Sequence, residues 1–129
     1  MKERHIEHTF FEIWYQDGII FTVFKKNTTL NLEISQEVVA ARLKVSANKP
    51  TPILVDLRNV HYTDTKARKY LASKEAVECI VAGAMLLDNE IMKLAGNIFI
   101  KIDQPLIPTK LFTDTDKALQ WLQQYKQAS

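Results

Sequence analysis

The sequence predicts an α/β fold with a mixed central β-sheet, an N-terminal β-hairpin and about four helices. Two runs rich in β-branched and aromatic residues flank Asp17-Gly18, a dipeptide typical of tight hairpin turns. Residues 53–57 form an apolar run interrupted only by Asp56, as a strand covered on both faces requires. Further along the chain, apolar runs alternate with segments of helical periodicity, which favours helices layered on a sheet.

Composition limits the classes of protein. With 129 residues and 47% hydrophobic content, residues 1–129 are expected to form a single domain. The net charge of +2 gives no reason to expect a nucleic-acid partner. Cys79 is the only cysteine, which excludes an intrachain disulfide and fits a reduced, cytoplasmic setting. The N-terminus lacks the apolar region of a signal peptide, and we expect no transmembrane segment.

The first third of the chain predicts paired strands, a short extended segment and a helix. The strands are expected at residues 7–16 and 19–25, and the extended segment at 28–33. Ser35 is expected to cap a helix at 36–47, where apolar residues recur at helical spacing.

The middle of the chain predicts a strand, a loop and a helix start in close succession. The apolar run 53–57 should be a central strand, with residues 58–62 as the loop after it. Asp64, or Thr63 before it, is expected to cap a helix over residues 66–78, because a side-chain oxygen can accept hydrogen bonds from the unpaired N–H groups of the first turn.

The last third predicts two strands that alternate with two helices. Ile98, Ile100 and Ile102 alternate as in a strand, but the helical spacing of the apolar residues before them and a cap at Asp88 favour a helix. We therefore expect a buried strand at 79–87, a helix at 88–101, a loop at 103–108, a strand at 110–113 and a C-terminal helix to residue 126.

The stretch Asp56-Leu57-x-x-Val60-x-Tyr62-x-Asp64-Thr65 resembles the corresponding stretch of the STAS domain family, the anti-sigma factor antagonists. In that family a strand ending in Asp-Leu leads through an aromatic residue to Asp-Ser-Ser-Gly at a helix start. The order of elements matches over residues 7–126, and divergent STAS or SEC14-like proteins of unknown role are similar. Lys66, Ala67 and Arg68 stand where the family has a small Ser-Gly-Leu run.

The resemblance implies a non-enzymatic regulatory module that binds other proteins. In the family, the Ser after the second Asp accepts a phosphate from a partner kinase, and Thr65 occupies that position. This implies Thr65 as a phosphoacceptor beside the capping Asp64, with a kinase or an anti-sigma-like regulator as partner. Lys66 and Arg68 make this helix end electropositive, which would favour a phosphate or an acidic partner. The alternative is a capped helix with a solvated cationic face.

Residues 91–107 carry more apolar side chains than one buried helix face needs. Three explanations are open: burial in the core, contact with a second copy or another protein, or an apolar ligand pocket. We expect a homodimer. The pocket would make the protein a SEC14-like carrier of small molecules or lipids, with the ligand under the third helix near Met92, Phe99 and Ile107.

Few residues carry catalytic or metal-binding potential. His61 lies near Asp64 in sequence, but a histidine in a loop is more often merely exposed. His5, Glu7 and His8 could bind a metal only if they were ordered, and they are expected in a frayed N-terminal arm. Glycine-rich phosphate-binding motifs are absent from the sequence. We therefore expect no enzyme, no catalytic residues, no metal and no cofactor.

Overall fold

The computed structural model describes residues 2–126 and contains a six-stranded mixed sheet in the order β1-β2-β3-β5-β7-β8. The strands are β1 (Glu3–Glu7), β2 (Phe11–Gln16), β3 (Ile19–Phe24), β4 (Thr28–Leu30), β5 (Thr51–Asp56), β6 (Val60–Thr63), β7 (Ile80–Leu86) and β8 (Thr109–Phe112). The helices are α1 (Leu32–Ser46), α2 (Thr65–Leu71), α3 (Glu90–Asp103) and α4 (Thr115–Leu122), followed by a 3-10 turn at Gln123–Tyr125. The predicted α/β class is confirmed.

The predicted hairpin is formed by β2 and β3, which pair antiparallel from Phe11 opposite Phe24 to Gln16 opposite Ile19. Asp17 and Gly18 both have positive φ, at 52° and 81°, as a two-residue turn matched to the twist of the strands requires.

The strand predicted at 7–16 is instead two strands. The extended conformation is interrupted between β1 and β2, and β1 pairs antiparallel with β2. The prediction of a frayed arm was therefore wrong for His5, which lies within β1, and for His8, whose ring stacks on Phe11 at 4.3 Å. Pairing with β2 and contacts of the two rings hold this segment in place.

The strand β5 is central, as predicted, and pairs parallel with β3 on one side and β7 on the other. Alternate residues of β5 point to opposite faces, so Ile53 and Val55 join one core cluster and Leu54 joins the other. Residues from α1 and α2 complete the first cluster, and residues from α4 complete the second. Helices thus cover both faces of the central strand.

The helix α1 begins earlier than predicted. Its N-cap is Asn31, whose side chain accepts a hydrogen bond from the Ile34 N–H at 2.8 Å, so the cap predicted at Ser35 was wrong. Ser35 is buried within the first turns, and its hydroxyl donates to the Asn31 carbonyl at 2.8 Å. The helix ends at Ser46, and its C-cap, Ala47, has a φ of +53°.

Three further boundaries differ from the predictions. The loop predicted at 58–62 contains β6, which pairs parallel with β4 in a separate two-stranded sheet. The helix α2 ends at Leu71 rather than at residue 78, because the Ser73 N–H turns back to the Tyr70 carbonyl at 2.9 Å. The helix predicted at 88–101 is α3, at Glu90–Asp103, and Asn89 rather than Asp88 is its cap.

Within the part of the chain that the structure describes, the helices are too short or too polar to cross a lipid bilayer.

Candidate interaction site

The start of α2 is held in place by Asp64. The Asp64 N–H donates to the Leu30 carbonyl at the end of β4, at 3.1 Å, and its carboxylate accepts from the Ala67 N–H at 2.8 Å. These bonds confirm Asp64 as the N-cap and fix α2 to the small β4–β6 sheet. Thr65 follows as the first residue of the helix, and it is exposed.

The two cations predicted to share this helix end lie in different surroundings. Lys66 is exposed to solvent. Arg68 donates from Nη1 to both carboxylate oxygens of Asp103, at 2.5 and 2.6 Å, and its guanidinium carbon lies 4.5 Å from the centre of the Phe99 ring. Arg68 therefore connects α2 to α3, a role that the sequence did not reveal because Asp103 lies far along the chain.

A second ion pair lies at the carboxyl end of the central strand β5. The Arg58 guanidinium donates to the two carboxylate oxygens of Asp56 at 2.9 and 2.8 Å, and the Arg58 N–H adds a bond of 3.0 Å. Burial opposes charge on Asp56, but the bonds from Arg58 outweigh it and lower the pKa of the Asp56 carboxyl. The pKa of Arg58 is raised by the hydrogen bond to Asp56, with burial opposing and Asp88 assisting.

The outer surface of α3 is the most apolar exposed feature in the described residues. None of the residues of α3 is buried. Gly96 faces the sheet, since a Cβ placed there would lie 2.5 Å from Cδ1 of Leu111. On α3 and just after it, large apolar side chains retain between 47% and 80% exposure: Ile91, Met92, Leu94, Ile98, Phe99, Ile102 and Leu106. We call these seven residues the α3 patch.

The residues predicted to line an apolar pocket divide between surface and core. Met92 and Phe99 are 48% and 47% exposed, whereas Ile107 packs against the core cluster that contains Phe11. Two surface clefts that the structure contains lie elsewhere. One, of about 520 Å³, is lined by Gln16, Asp17, Ile19, Phe21, Leu119, Gln123 and Lys126, and the other, of about 260 Å³, by Arg4, His5, Ile6, Lys44 and Val45.

A group of metal-capable side chains lies on β1 and β2. The ligand atoms of His5, Glu7 and Glu12 lie within 4.8 Å of one another. Glu12 was absent from the predicted group because strand pairing, not sequence spacing, brings it beside His5. The two carboxylates already contact amines, with Lys2 at 3.4 Å from Glu12 and Lys25 at 2.9 Å from Glu7. The cluster is thus a network of surface ion pairs.

The histidine considered for catalysis lies on a strand. His61 is part of β6, exposed to solvent, and its neighbour Tyr62 is 58% exposed. The carboxylate of Asp64 serves as the cap of α2.

The fold defines the class of protein first. An uncharacterised protein of the DUF3478 family, with a SpoIIAA-like fold, from Shewanella loihica PV-4 is similar in structure, with a TM-score of 0.61. The similarity covers 95% of each chain at 16% sequence identity, so it concerns the fold alone. The protein is therefore an α/β protein with a SpoIIAA-like, that is STAS-like, fold, as the resemblance in sequence implied.

The family follows from the sequence comparison. The family model for a domain of unknown function, DUF7793, matches residues 13–126, and the chain belongs to this family. No curated protein matches the chain.

Proposed function

We propose that this protein is a non-enzymatic, cytoplasmic regulatory module that acts by binding other protein chains. The observation that carries the proposal is the α3 patch, whose member Phe99 lies against the Arg68 guanidinium of α2, while the Arg68–Asp103 ion pair joins the end of α3 to α2. Soluble proteins seldom leave an apolar area of this kind in water unless it serves as a contact surface. The contact surface includes Asp64, Thr65 and Lys66 at the start of α2.

Thr65 is the phosphoacceptor in this proposal, on the strength of the resemblance to STAS domains. Its exposed position at the start of α2 supports the assignment, because a partner kinase can reach the hydroxyl without opening the core. A phosphate on Thr65 would lie within one turn of Arg68 and would compete with Asp103 for the guanidinium. Modification would thereby alter the junction between α2 and α3, and the protein partner would be a kinase or an anti-sigma-like regulator.

Native mass spectrometry of the protein purified from its own organism tests this proposal. We expect a complex with a second copy or another protein, and a phosphate that tandem mass spectrometry assigns to Thr65. The Thr65→Ala variant should lose the phosphate, whereas Thr29→Ala, at another exposed threonine, should keep it.

Two results would contradict the proposal. A chain that carries neither phosphate nor any partner would leave the module without an activity. An apolar small molecule that dissociates on denaturation would instead indicate a carrier, with the ligand near Met92, Phe99 and Ile107.

A further inference from the structure

We propose that the α3 patch is where two copies of this chain bind each other, with their α3 helices antiparallel about a two-fold axis. This inference rests on the proposed function, since it names a second copy as the partner of the patch. It is carried by the arrangement of apolar and charged residues along α3.

The outward face of α3 is a continuous apolar stripe. Gly96 approaches Leu111 on the inner side, and the opposite side presents apolar residues at intervals of three or four positions. These are the most exposed large apolar residues of α3, at 57% to 80%: Ile91, Leu94, Ile98 and Ile102.

The stripe is complementary to itself when the second helix runs in the opposite direction. In a two-fold interface every contact between two different residues occurs twice. The register that brings Leu94 against Ile98 of the second copy also brings Ile91 against Ile102 of the second copy. The apolar side chains of both helices therefore meet along the whole length of α3.

The same register pairs opposite charges. Glu90 and Lys101 lie on one flank of the stripe at its two ends, and antiparallel helices bring like flanks together. Glu90 therefore faces Lys101 of the second copy at both ends. The Glu90 side chain is 75% exposed, although it accepts a hydrogen bond from the Thr113 hydroxyl at 3.1 Å and lies 3.8 Å from Lys93. Its carboxylate can accept a further partner.

The area of the α3 patch is large enough for a dimer interface. Its seven side chains expose an apolar area on the order of 800 Å², the amount that each subunit buries in a standard interface. That is about a tenth of the surface of 7652 Å², a typical share for a small protein in a stable complex. The patch has Glu90 at one end and Lys101 at the other. A surface that binds an anionic membrane would carry basic residues at both ends, so these charges favour a second copy.

Sedimentation equilibrium of the full chain and of variants with reversed charges at Glu90 and Lys101 tests this arrangement. We expect the unaltered chain to be a dimer, and Ile98→Asp to weaken it by about 100-fold, because an exposed position in the monomer becomes buried in the dimer. Glu90→Lys and Lys101→Glu should each weaken the dimer by roughly tenfold, since each places like charges at both ends. Mixed in equal amounts, these two variants should form a heterodimer that is tighter than either homodimer.

Controls separate the interface from the fold. Lys117→Glu on α4 makes the same change of charge away from the patch and should leave the dimer unchanged. Circular dichroism should show Ile98→Asp folded, because Ile98 is 57% exposed in the single chain.

Several outcomes would overturn the pairing. A monomeric unaltered chain would do so, as would a dimer that Ile98→Asp leaves intact or a charge exchange that fails to favour the heterodimer. A monomer that binds a different protein, or vesicles of phosphatidylglycerol and phosphatidylcholine, through Ile98 would overturn it as well. In the case of a different protein, the proposed interaction module would stand and only the identity of the partner would be wrong.

Discussion

Arg68 holds both carboxylate oxygens of Asp103 with one nitrogen, and this pair joins α2 to the last residue of α3. The two side chains are only 24% and 15% exposed, and the guanidinium also covers the Phe99 ring. A charge pair shielded to this extent is costly to break from one side, because the remaining charge is left without a partner. The pair therefore fixes the end of α3 against α2 while the outer stripe of α3 faces solvent.

Removing Arg68 should destabilise the protein. We expect Arg68→Ala to lower the free energy of unfolding by about 1–3 kcal/mol, through loss of the ion pair and of the contact with Phe99. The neighbouring Lys69→Ala, at an exposed position, should change it by no more than about 0.5 kcal/mol. Urea unfolding of both variants measures the difference. Equal effects of the two substitutions would show that the pair contributes nothing to stability.

The Asp56–Arg58 pair should make stability depend on pH. The pKa of Asp56 is lowered in the folded chain relative to its ordinary value of 3.8. The stabilisation is therefore fully present above that value and is lost as the pH falls through the folded pKa. We expect Asp56→Asn to be less stable than the unaltered chain at pH 7, with the difference shrinking as the solution becomes acidic. Urea unfolding over a pH series measures it, and a constant difference would contradict the assignment.

Arg42 is a buried cation on α1 without a carboxylate partner among the described contacts. Burial lowers the pKa of Arg42 to about 10, although Tyr70 opposes the shift. Its Nη1 donates to the Ala76 carbonyl at 3.1 Å, and its Nε has no partner in the part of the chain that the structure describes. Burying an unpaired charge is costly, whereas a buried apolar side chain of similar length is not.

Two substitutions of Arg42 should therefore differ. We expect Arg42→Met to lower the free energy of unfolding by no more than about 1 kcal/mol, because methionine fills the space without the charge. Arg42→Ala should lose about 2–4 kcal/mol because it leaves a cavity. Thermal and urea unfolding measure both. A large loss in Arg42→Met would mean that the bond to Ala76 outweighs the cost of burying the charge.

Features set by local chemistry were predictable from the sequence. Asp17-Gly18 specifies the hairpin turn, the run 53–57 specifies a strand buried on both faces, and Asp64 specifies a helix cap. Each depends on neighbouring residues alone.

Features set by distant contacts were not predictable. The strand β6 exists because β4, far back along the chain, offers it a partner, and Asp103 reaches Arg68 only because α3 returns beside α2. The apolar spacing of α3 predicted a helix but could not say which neighbour covers it. Periodicity shows that a stripe exists and leaves open whether the core or a second chain contacts it.

Gly96 should be required for the close packing of α3 against the sheet. A methyl group at this position would lie 2.5 Å from Cδ1 of Leu111, whose side chain is buried. Glycine in a helix normally costs about 1 kcal/mol relative to alanine, so Gly96→Ala on a free surface would stabilise the chain. We expect a loss of about 1–3 kcal/mol in urea unfolding instead, because the helix must shift. Stabilisation would show that Leu111 moves aside freely.

Substitutions of Asp64 and Thr65 should distinguish a residue that stabilises the start of α2 from one that does not. Asp64→Ala removes the bond to the Ala67 N–H and should cost about 1 kcal/mol of unfolding free energy, the usual effect of losing an N-cap. Thr65→Ala, at an exposed first helical position, should change it by less than about 0.5 kcal/mol. Urea unfolding of both variants measures these values. If Thr65→Ala proves as costly as Asp64→Ala, Thr65 has a structural role, and its loss of phosphate could no longer be ascribed to the missing hydroxyl alone.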